Sequence, residues 1–379
     1  MARGLEPVTR PPSAIAAALG SREFGTFPAA IATLVAVGIV LVALDVTLLP
    51  YVLREGATDW AAYEHASVLL RAGDNPYVWA GAADIRAITP YPYLYPPPLA
   101  WLWGFGMTPA LWVAVKIASL AGGATFAWRS AATTAARVLG GIALVGFSLA
   151  FPPVVHDLVL GNVMVLYLGA IALVCAYPNR RFAVIPLGIL IAIAFKPFVV
   201  TVAVWLLIRE RRRFVDLVGA AVVATILFAL VIGPSVYVEY LVALPKLGGL
   251  AQPFSGNLGL SGISQPLALV AIPLSILWAI VAAWRLVPEA GLATAVALGL
   301  LVQPTVGFNY AAILIPAAIL VWQIHRPAGL VLALVVVFGS AVSPPLAGLI
   351  VAVAAAIVGR STTEPESAGP RRVAERAPA

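Results

Sequence analysis

Residues 180–213 read RRFAVIPLGILIAIAFKPFVVTVAVWLLIRERRR. An apolar run stands between Arg180-Arg181 and the cluster Arg209 to Arg213, and one Lys-Pro pair, Lys196-Pro197, interrupts it near the middle. Basic clusters collect on the cytoplasmic side of a membrane. Both ends of the run therefore belong there, and the chain must turn back at Lys196-Pro197. Each arm has 14 or fewer residues, about 20 Å at the helical rise and shorter than a hydrocarbon layer of roughly 30 Å. The turn is thus expected below the outer surface, where non-helical backbone is tolerated only against protein or a wet cavity. The stretch predicts a helical hairpin in a bilayer, with a cavity open to the outside.

The rest of the chain agrees in character. Of its 379 residues 62% are hydrophobic and 10% charged, against roughly 25% charged in soluble domains, so one water-soluble core cannot hold it. Apolar runs of spanning length recur from Phe27 to Val358, closed by Arg, Pro or Gly clusters. We read an all-α, polytopic fold of about twelve crossings: 27–49, 96–128, 138–151, 158–177, 182–195, 198–208, 214–233, 266–284, 288–303, 309–322, 328–342 and 345–359. The run 96–128 is long for one straight span and is read as a single helix kinked at Pro109. Residues 1–26 show no short apolar core followed by a small-residue cleavage site, so 27–49 reads as a retained first helix. The domains are then a cytoplasmic tail at 1–26, a transmembrane unit at 27–360 with outer loops at 50–95 and 234–265, and a disordered cytoplasmic tail at 361–379 rich in Pro, Glu, Arg and Ala.

Charge supports that layout. With both termini cytoplasmic, seventeen of the 23 Lys and Arg fall inside, five fall on the outer half (Arg54, Arg71, Arg86, Lys196 and Lys246), and Lys116 stays within the membrane. The net charge of +7 is therefore a signal of orientation in a cell membrane, with no basic stripe that would fit nucleic acid. The lone Cys175 excludes an intramolecular disulfide, and three scattered histidines without a cysteine cluster argue against an ordinary zinc site. No metal is expected.

Polar groups concentrate in the first outer loop. Thr58 to Ala72 reads as a helix ending at Gly73, with Asp74-Asn75-Pro76 as the following turn. On it Asp59 and Tyr63 share a face, beside Ala62 and Ala66, with Glu64 and His65 nearby. A carboxylate near the outer mouth of a cavity can act as general base toward a hydroxyl; equally, Asp59 can cap its helix. Tyr91-Pro92-Tyr93-Leu94-Tyr95-Pro96-Pro97-Pro98 enters a helix, either as an interfacial anchor or as a surface for sugar or lipid. Lys196 is an ionisable group in a span, a functional candidate by default, able to hold a phosphate or to snorkel to headgroups. Three further outer segments are polar: His156-Asp157 with Gly161-Asn162, Asn257 to Ser261, and Gln303-Pro304 with Asn309-Tyr310. Lys116 has no loop cluster near it and reads as structural.

Taken in order, these residues resemble the polyprenol-phosphate-mannose-dependent alpha-1,2-mannosyltransferase family of actinobacterial envelopes, which has the type C glycosyltransferase fold. The family's Asp with Tyr four residues on, its Gly-x-x-Pro-Tyr and its Tyr-Pro-Pro are matched by Asp59, Tyr63, Gly73-Asp74-Asn75-Pro76-Tyr77 and Tyr95-Pro96-Pro97. Its Gly-Gln-x-Asn, its Lys-Pro hairpin and its Asn-x-Ser loop correspond to Gly161-Asn162, Lys196-Pro197, and Asn257 with Ser261. The likeness covers about residues 27–345. Departures are Asn162 for the glutamine, Met164 for the asparagine, and Asn309-Tyr310 where a late Pro-x-x-Trp-x-His-His carries histidines.

The resemblance implies an inverting transfer, with Asp59 as base, Lys196 on the donor phosphate, and neither metal nor cofactor beyond the lipid-linked sugar. Candidate substrate-binding residues are Tyr63, His65, Tyr95, His156, Asn162, Asn257, Ser261, Asn309 and Tyr310. Implied partners are membrane lipids, a polyprenyl-phosphate sugar and a glycolipid or glycan acceptor on the outer face. A polyprenyl-lipid flippase would use the same cavity without chemistry, and an inactive envelope-assembly scaffold would keep only the fold; the absence of an inverted repeat weighs against the first, whereas the missing histidines favour the second.

Overall fold

The computed structural model describes residues 58–81, 92–108, 111–120, 151–250, 257–339 and 343–361. The tail at 1–26, the crossing at 27–49, nearly all of that at 138–151 and the tail beyond Ser361 lie outside the described residues. Among the described residues the regular elements are helical throughout. They are α1 (Thr58–Ala72), α2 (Pro97–Gly104), α3 (Leu111–Leu120), α4 (Pro152–Leu160), α5 (Met164–Ala176), α6 (Ile185–Ala194), α7 (Val199–Arg209), α8 (Arg211–Ile232) and α9 (Pro234–Leu250). The single turn α10 (Leu260–Ile263), then α11 (Gln265–Arg285), α12 (Pro288–Val302), α13 (Leu314–Ile324), α14 (Arg326–Leu334) and α15 (Pro344–Ser361) complete the set.

The bracketed apolar run folds as a hairpin of α6 and α7 with its turn at Phe195 to Phe198. Proline pushes the residue before it out of the helical region, so Pro197 ends α6 ahead of Lys196. The turn is held from two sides. The Tyr167 hydroxyl lies within hydrogen-bond reach of the carbonyl of Ala194 (2.9 Å), which the end of α6 leaves open, and of that of Leu190 (3.2 Å), and the Phe198 amide donates to Gln303 Oε1 at 3.3 Å.

The basic residues that bracket the hairpin gather at the opposite end. Arg181 makes a two-bond pair with Asp216 (2.6 and 2.7 Å). Arg213 bonds Glu210 at 2.6 Å and the carbonyls of Pro178 and Val174, and Arg209 reaches the carbonyls of Ala283 and Leu286.

α12 is the centre of the bundle. It is buried continuously from Ala290 to Val302, as a helix apolar all round must be. Its small residues let neighbours approach closely: a Cβ on Gly299 would stand 2.7 Å from the Phe198 carbonyl oxygen, and one on Gly291 2.8 Å from Trp205 Nε1. Around it pack α7, α11, α13 and α15. α8 is the reverse case, with only Arg213 and Leu217 buried, while Leu230, Val231, Val215 and Leu227 lie open. In water that apolar face would be a large exposed patch; in a bilayer it meets lipid. α8 and α11 are long and apolar enough to cross a membrane unaided.

Three expectations about elements change. The run 96–128 is not one kinked helix. α2 stops at Gly104, Gly106 takes φ +91°, and Thr108 Oγ1 accepts the Leu111 amide to start α3. At eight residues α2 is about 12 Å long, too short to cross a bilayer by itself. The span 158–177 begins only at Met164, because Gly161 at φ +79° separates α4 from α5. The stretch 234–265, read as a long outer loop, starts with the 17-residue α9, which carries Pro245 within it. α9 folds onto the first outer loop, where Tyr240 meets Tyr77 (5.5 Å between ring centres) and Lys246 donates to the Ala80 carbonyl.

Candidate active site

The site is built on the start of α1. That helix forms as its sequence requires and ends in an αL glycine, Gly73 at φ +79°, with Asp74 N donating to the Leu69 carbonyl at 2.9 Å. Asn75 Oδ1 accepts the Tyr77 amide at 2.6 Å, which makes the Asn75-Pro76 turn. The other end of α1 docks on the Gly161 turn. A Cβ on Gly161 would fall 1.4 Å from Trp60 Cδ1, so glycine is needed there both for its positive φ and for Trp60 to close. That contact brings Asp59 to Asn162, whose Nδ2 donates to Asp59 Oδ2 at 2.6 Å. Asn162 Oδ1 accepts the Val163 amide at 2.7 Å, which aims the amide group.

Asp59 therefore spends one oxygen on a cross-chain amide. It also lies in the first turn of α1, where the helix dipole favours a carboxylate. Burial raises its carboxyl above the usual carboxylate range. The Lys196 ammonium opposes that rise most strongly among the charges, followed by the Asn162 bond; Asp157 adds to the rise and Lys116 opposes it.

Lys196 is 8% exposed, and its Nζ donates to the hydroxyls of Tyr310 (2.7 Å) and Tyr95 (3.1 Å), lying 5.1 and 4.5 Å from the respective ring centres. An ammonium has three donors; among the described residues the third has no partner. Tyr95 is fixed by Tyr77, whose hydroxyl donates to the Tyr95 carbonyl at 2.8 Å, and Tyr93 accepts the Ala100 amide at 2.9 Å at the start of α2. Tyr93 and Tyr95 are buried, so they are parts of the site wall and not interfacial anchors. Fully buried Tyr63 stands edge-on to Tyr95, 5.4 Å between centres, and completes the bridge from the Asp59 helix to the lysine.

Behind Asn162 lies a buried ion pair that reading the sequence missed. Lys116 Nζ sits 3.0 Å from Asp157 Oδ2 and donates to the Asp157 carbonyl at 2.7 Å, with both side chains at 0% exposure. The Asp157 carboxylate also accepts the amides of Met164 (3.0 Å) and Val165 (3.3 Å) at the start of α5, and Asn309 Nδ2 at 3.1 Å. Its carbonyl takes the amides of Gly161 and Asn162. Asp157 thereby shapes the turn that aims Asn162, and is itself a fully buried residue of helix α4. The only sequence signal was two ionisable groups inside apolar runs, 41 positions apart.

The other candidates divide. Asn309 and Tyr310, at the histidine positions of the resemblance, hold Asp157 and Lys196 respectively. His156 packs its ring on Phe308 at 5.9 Å, next to the ion pair. Asn257 and Ser261 join each other (3.2 Å) and tie their loop to the Pro304 carbonyl and the Val306 amide, which braces the segment leading to Tyr310. His65 stands exposed, two residues beyond Tyr63 on another face of α1, and is not brought to Asp59. A cavity of about 610 Å³ opens between α1, α2 and the α8–α9 junction. It does not include the Lys196 turn, where one was expected.

Comparison with the curated proteins and with the solved structures gives no match. A family model does match, over residues 90–322, and its description is glycosyltransferase family 87. The matched segment contains the Tyr95 entry to α2, the Lys116–Asp157 pair, the Asn162 turn, the Lys196 hairpin and Tyr310. Covering more than half of an apolar chain that is helical among the described residues, it shows that the protein belongs to glycosyltransferase family 87, a family of membrane glycosyltransferases.

Proposed function

We propose that the chain transfers a sugar, mannose in the first instance, from a polyprenyl-phosphate donor to a hydroxyl of a lipid or glycan acceptor at the outer face of the cell membrane. The acceptor oxygen attacks the anomeric carbon and its proton passes to the Asp59 carboxylate. The bond from that carbon to the phosphate oxygen breaks, and the lipid phosphate leaves with the electron pair beside Lys196. One displacement inverts the anomeric centre. The carrying observation is that the Asp59 helix and the Lys196 turn meet through Tyr63 and Tyr95 at the end of the bundle opposite the arginine cluster, with bonding capacity left on both Asp59 and Lys196 among the described residues. A base works best with its pKa drawn toward the working pH, the direction in which burial moves Asp59. A fixed cation where charge develops supplies transition-state stabilisation with no metal required. The positive-inside rule supports reading the arginine end as cytoplasmic, and with it a site on the outer face, both termini inside and about twelve crossings.

The test is transfer from radiolabelled polyprenyl-phosphate mannose in vesicles. Asp59→Asn is expected to abolish product while the folded variant still binds donor. Full product from Asp59→Asn would remove the transferase mechanism, and equal lipid movement across the bilayer by both proteins would favour a flippase.

A further inference from the structure

Asp157 grips the turn that carries Asn162 from both sides. Its carbonyl accepts the amides of Gly161 (3.1 Å) and Asn162 (3.2 Å), and its carboxylate accepts those of Met164 and Val165 just past the turn. Where Asp157 sits therefore decides where Asn162 points, and Asn162 is the partner of Asp59 at 2.6 Å. Two other side chains hold Asp157 in turn, Lys116 from α3 and Asn309, whose Nδ2 reaches Oδ1 at 3.1 Å.

Asn309 differs from Lys116 in what stands beside it. It lies, 1% exposed, in the 3₁₀ turn Phe308–Ile313, directly before Tyr310. Three residues per turn set consecutive side chains about 120° apart, so the neighbours face different partners: Asn309 meets Asp157, and Tyr310 meets Lys196 Nζ at 2.7 Å. The approach to the turn is braced. Gln303 takes the Phe198 amide beside Lys196-Pro197, Asn257 Oδ1 accepts the Val306 amide at 3.1 Å, and the Leu258 amide donates to the Val306 carbonyl at 2.8 Å. One braced segment thus touches the cation directly and the base by way of Asp157 and Asn162.

We infer that Asn309 is a positioning residue for the base: its bond to Asp157 fixes the Gly161-Asn162 turn and, through Asn162, the orientation of Asp59, while Tyr310 beside it fixes Lys196. The inference rests on the transferase reading for what Asp59 does, and on geometry alone for what Asn309 does to Asp59. A residue that merely satisfied Asp157 would stabilise the bundle and leave Asp59 unaffected.

The experiment follows the titration of Asp59 in the full chain in phospholipid nanodiscs, by carboxyl-carbon NMR of isotope-enriched aspartate, with the resonance assigned by its loss in Asp59→Asn. Among the described residues Lys196, Asp157, Lys116, Tyr63 and Tyr95 face Asp59 electrostatically. None of them is altered in Asn309→Ala, so a shift there reports the Asn162 bond. Because that bond favours the charged carboxylate, Asn309→Ala is expected to move the midpoint to higher pH, as Asn162→Ala does, and the double variant no further than Asn162→Ala alone. In transfer from radiolabelled polyprenyl-phosphate mannose, Asn309→Ala should lower kcat roughly tenfold to hundredfold, as misplacement of a reacting group does, with donor KM held. Tyr310→Phe should do the reverse. Should the alanine variant not fold, Asn309→Ser carries the same expectation, since its hydroxyl stops one bond short of the Nδ2 position. An unmoved Asp59 midpoint, additive shifts in the double variant, or a raised donor KM with kcat kept would each overturn the inference. A parent chain that made no product while the midpoints shifted as stated would defeat the transferase reading and leave the positioning role standing.

Discussion

Replacing Lys116 by methionine removes one half of the buried pair and leaves Asp157 charged at 0% exposure. Three neutral donors remain to it, from Met164, Val165 and Asn309, so the charge is not stripped bare, but its one cationic partner within 4 Å among the described residues is lost. Breaking a buried pair from one side costs about 3–5 kcal/mol. Asp157→Asn alone leaves the lysine with only the Asp157 carbonyl, at similar cost. The double variant Lys116→Met/Asp157→Asn has no orphan charge and keeps an oxygen acceptor for the start of α5. It should therefore be less destabilised than the sum of the singles, with a coupling of about 2–3 kcal/mol. Unfolding by SDS in mixed micelles, followed by tryptophan fluorescence, measures the cycle. Additive singles would refute the pair as an energetic unit. Since Asp157 also shapes the turn bearing Asn162, the double variant should lose turnover more than it raises donor KM.

Asn162→Ala removes a hydrogen bond that favours the charged form of Asp59. A base must be ionised to act, so the acid limb of the kcat/KM profile, already above the ordinary carboxylate range, should move to higher pH; an unmoved limb would dissociate Asp59 from the rate. Gly161→Ala places a methyl in the Trp60 indole and an L-residue at φ +79°, and should cost more than about 2 kcal/mol in the same unfolding assay. Tyr310→Phe takes away the shorter of the two phenol bonds to Lys196; donor KM should rise about tenfold, with acceptor KM little changed.

Local chemistry made parts of this protein readable. Arg180-Arg181, Lys196-Pro197 and the Arg209 to Arg213 cluster act through charge and proline sterics over a few residues, so the hairpin and its turn could be placed from sequence. Gly73 closed α1 for the same reason. The Lys116–Asp157 pair could not be found this way, because nothing local to either residue marks the other and the bundle alone brings them together. α9 was hidden by helix-breaking residues, Pro234, Pro245 and the Gly248-Gly249 pair, which packing on Tyr77 and Ala80 outweighs. Helical spacing explains His65, two positions from Tyr63 and so turned about 200° away from it. The aromatic run at 91–98 was legible as special in composition, but only burial of Tyr93 and Tyr95 separates a site wall from an interfacial belt.

A structure of the Asp59→Asn variant with a polyprenyl-phosphate sugar bound tests the centre of the account. We expect a phosphate oxygen within hydrogen-bond reach of Lys196 Nζ, between the hydroxyls of Tyr95 and Tyr310, with the anomeric carbon turned toward residue 59. A phosphate held by the Arg181–Arg213 end of the bundle, or a sugar walled off from residue 59 by Tyr63, would contradict it.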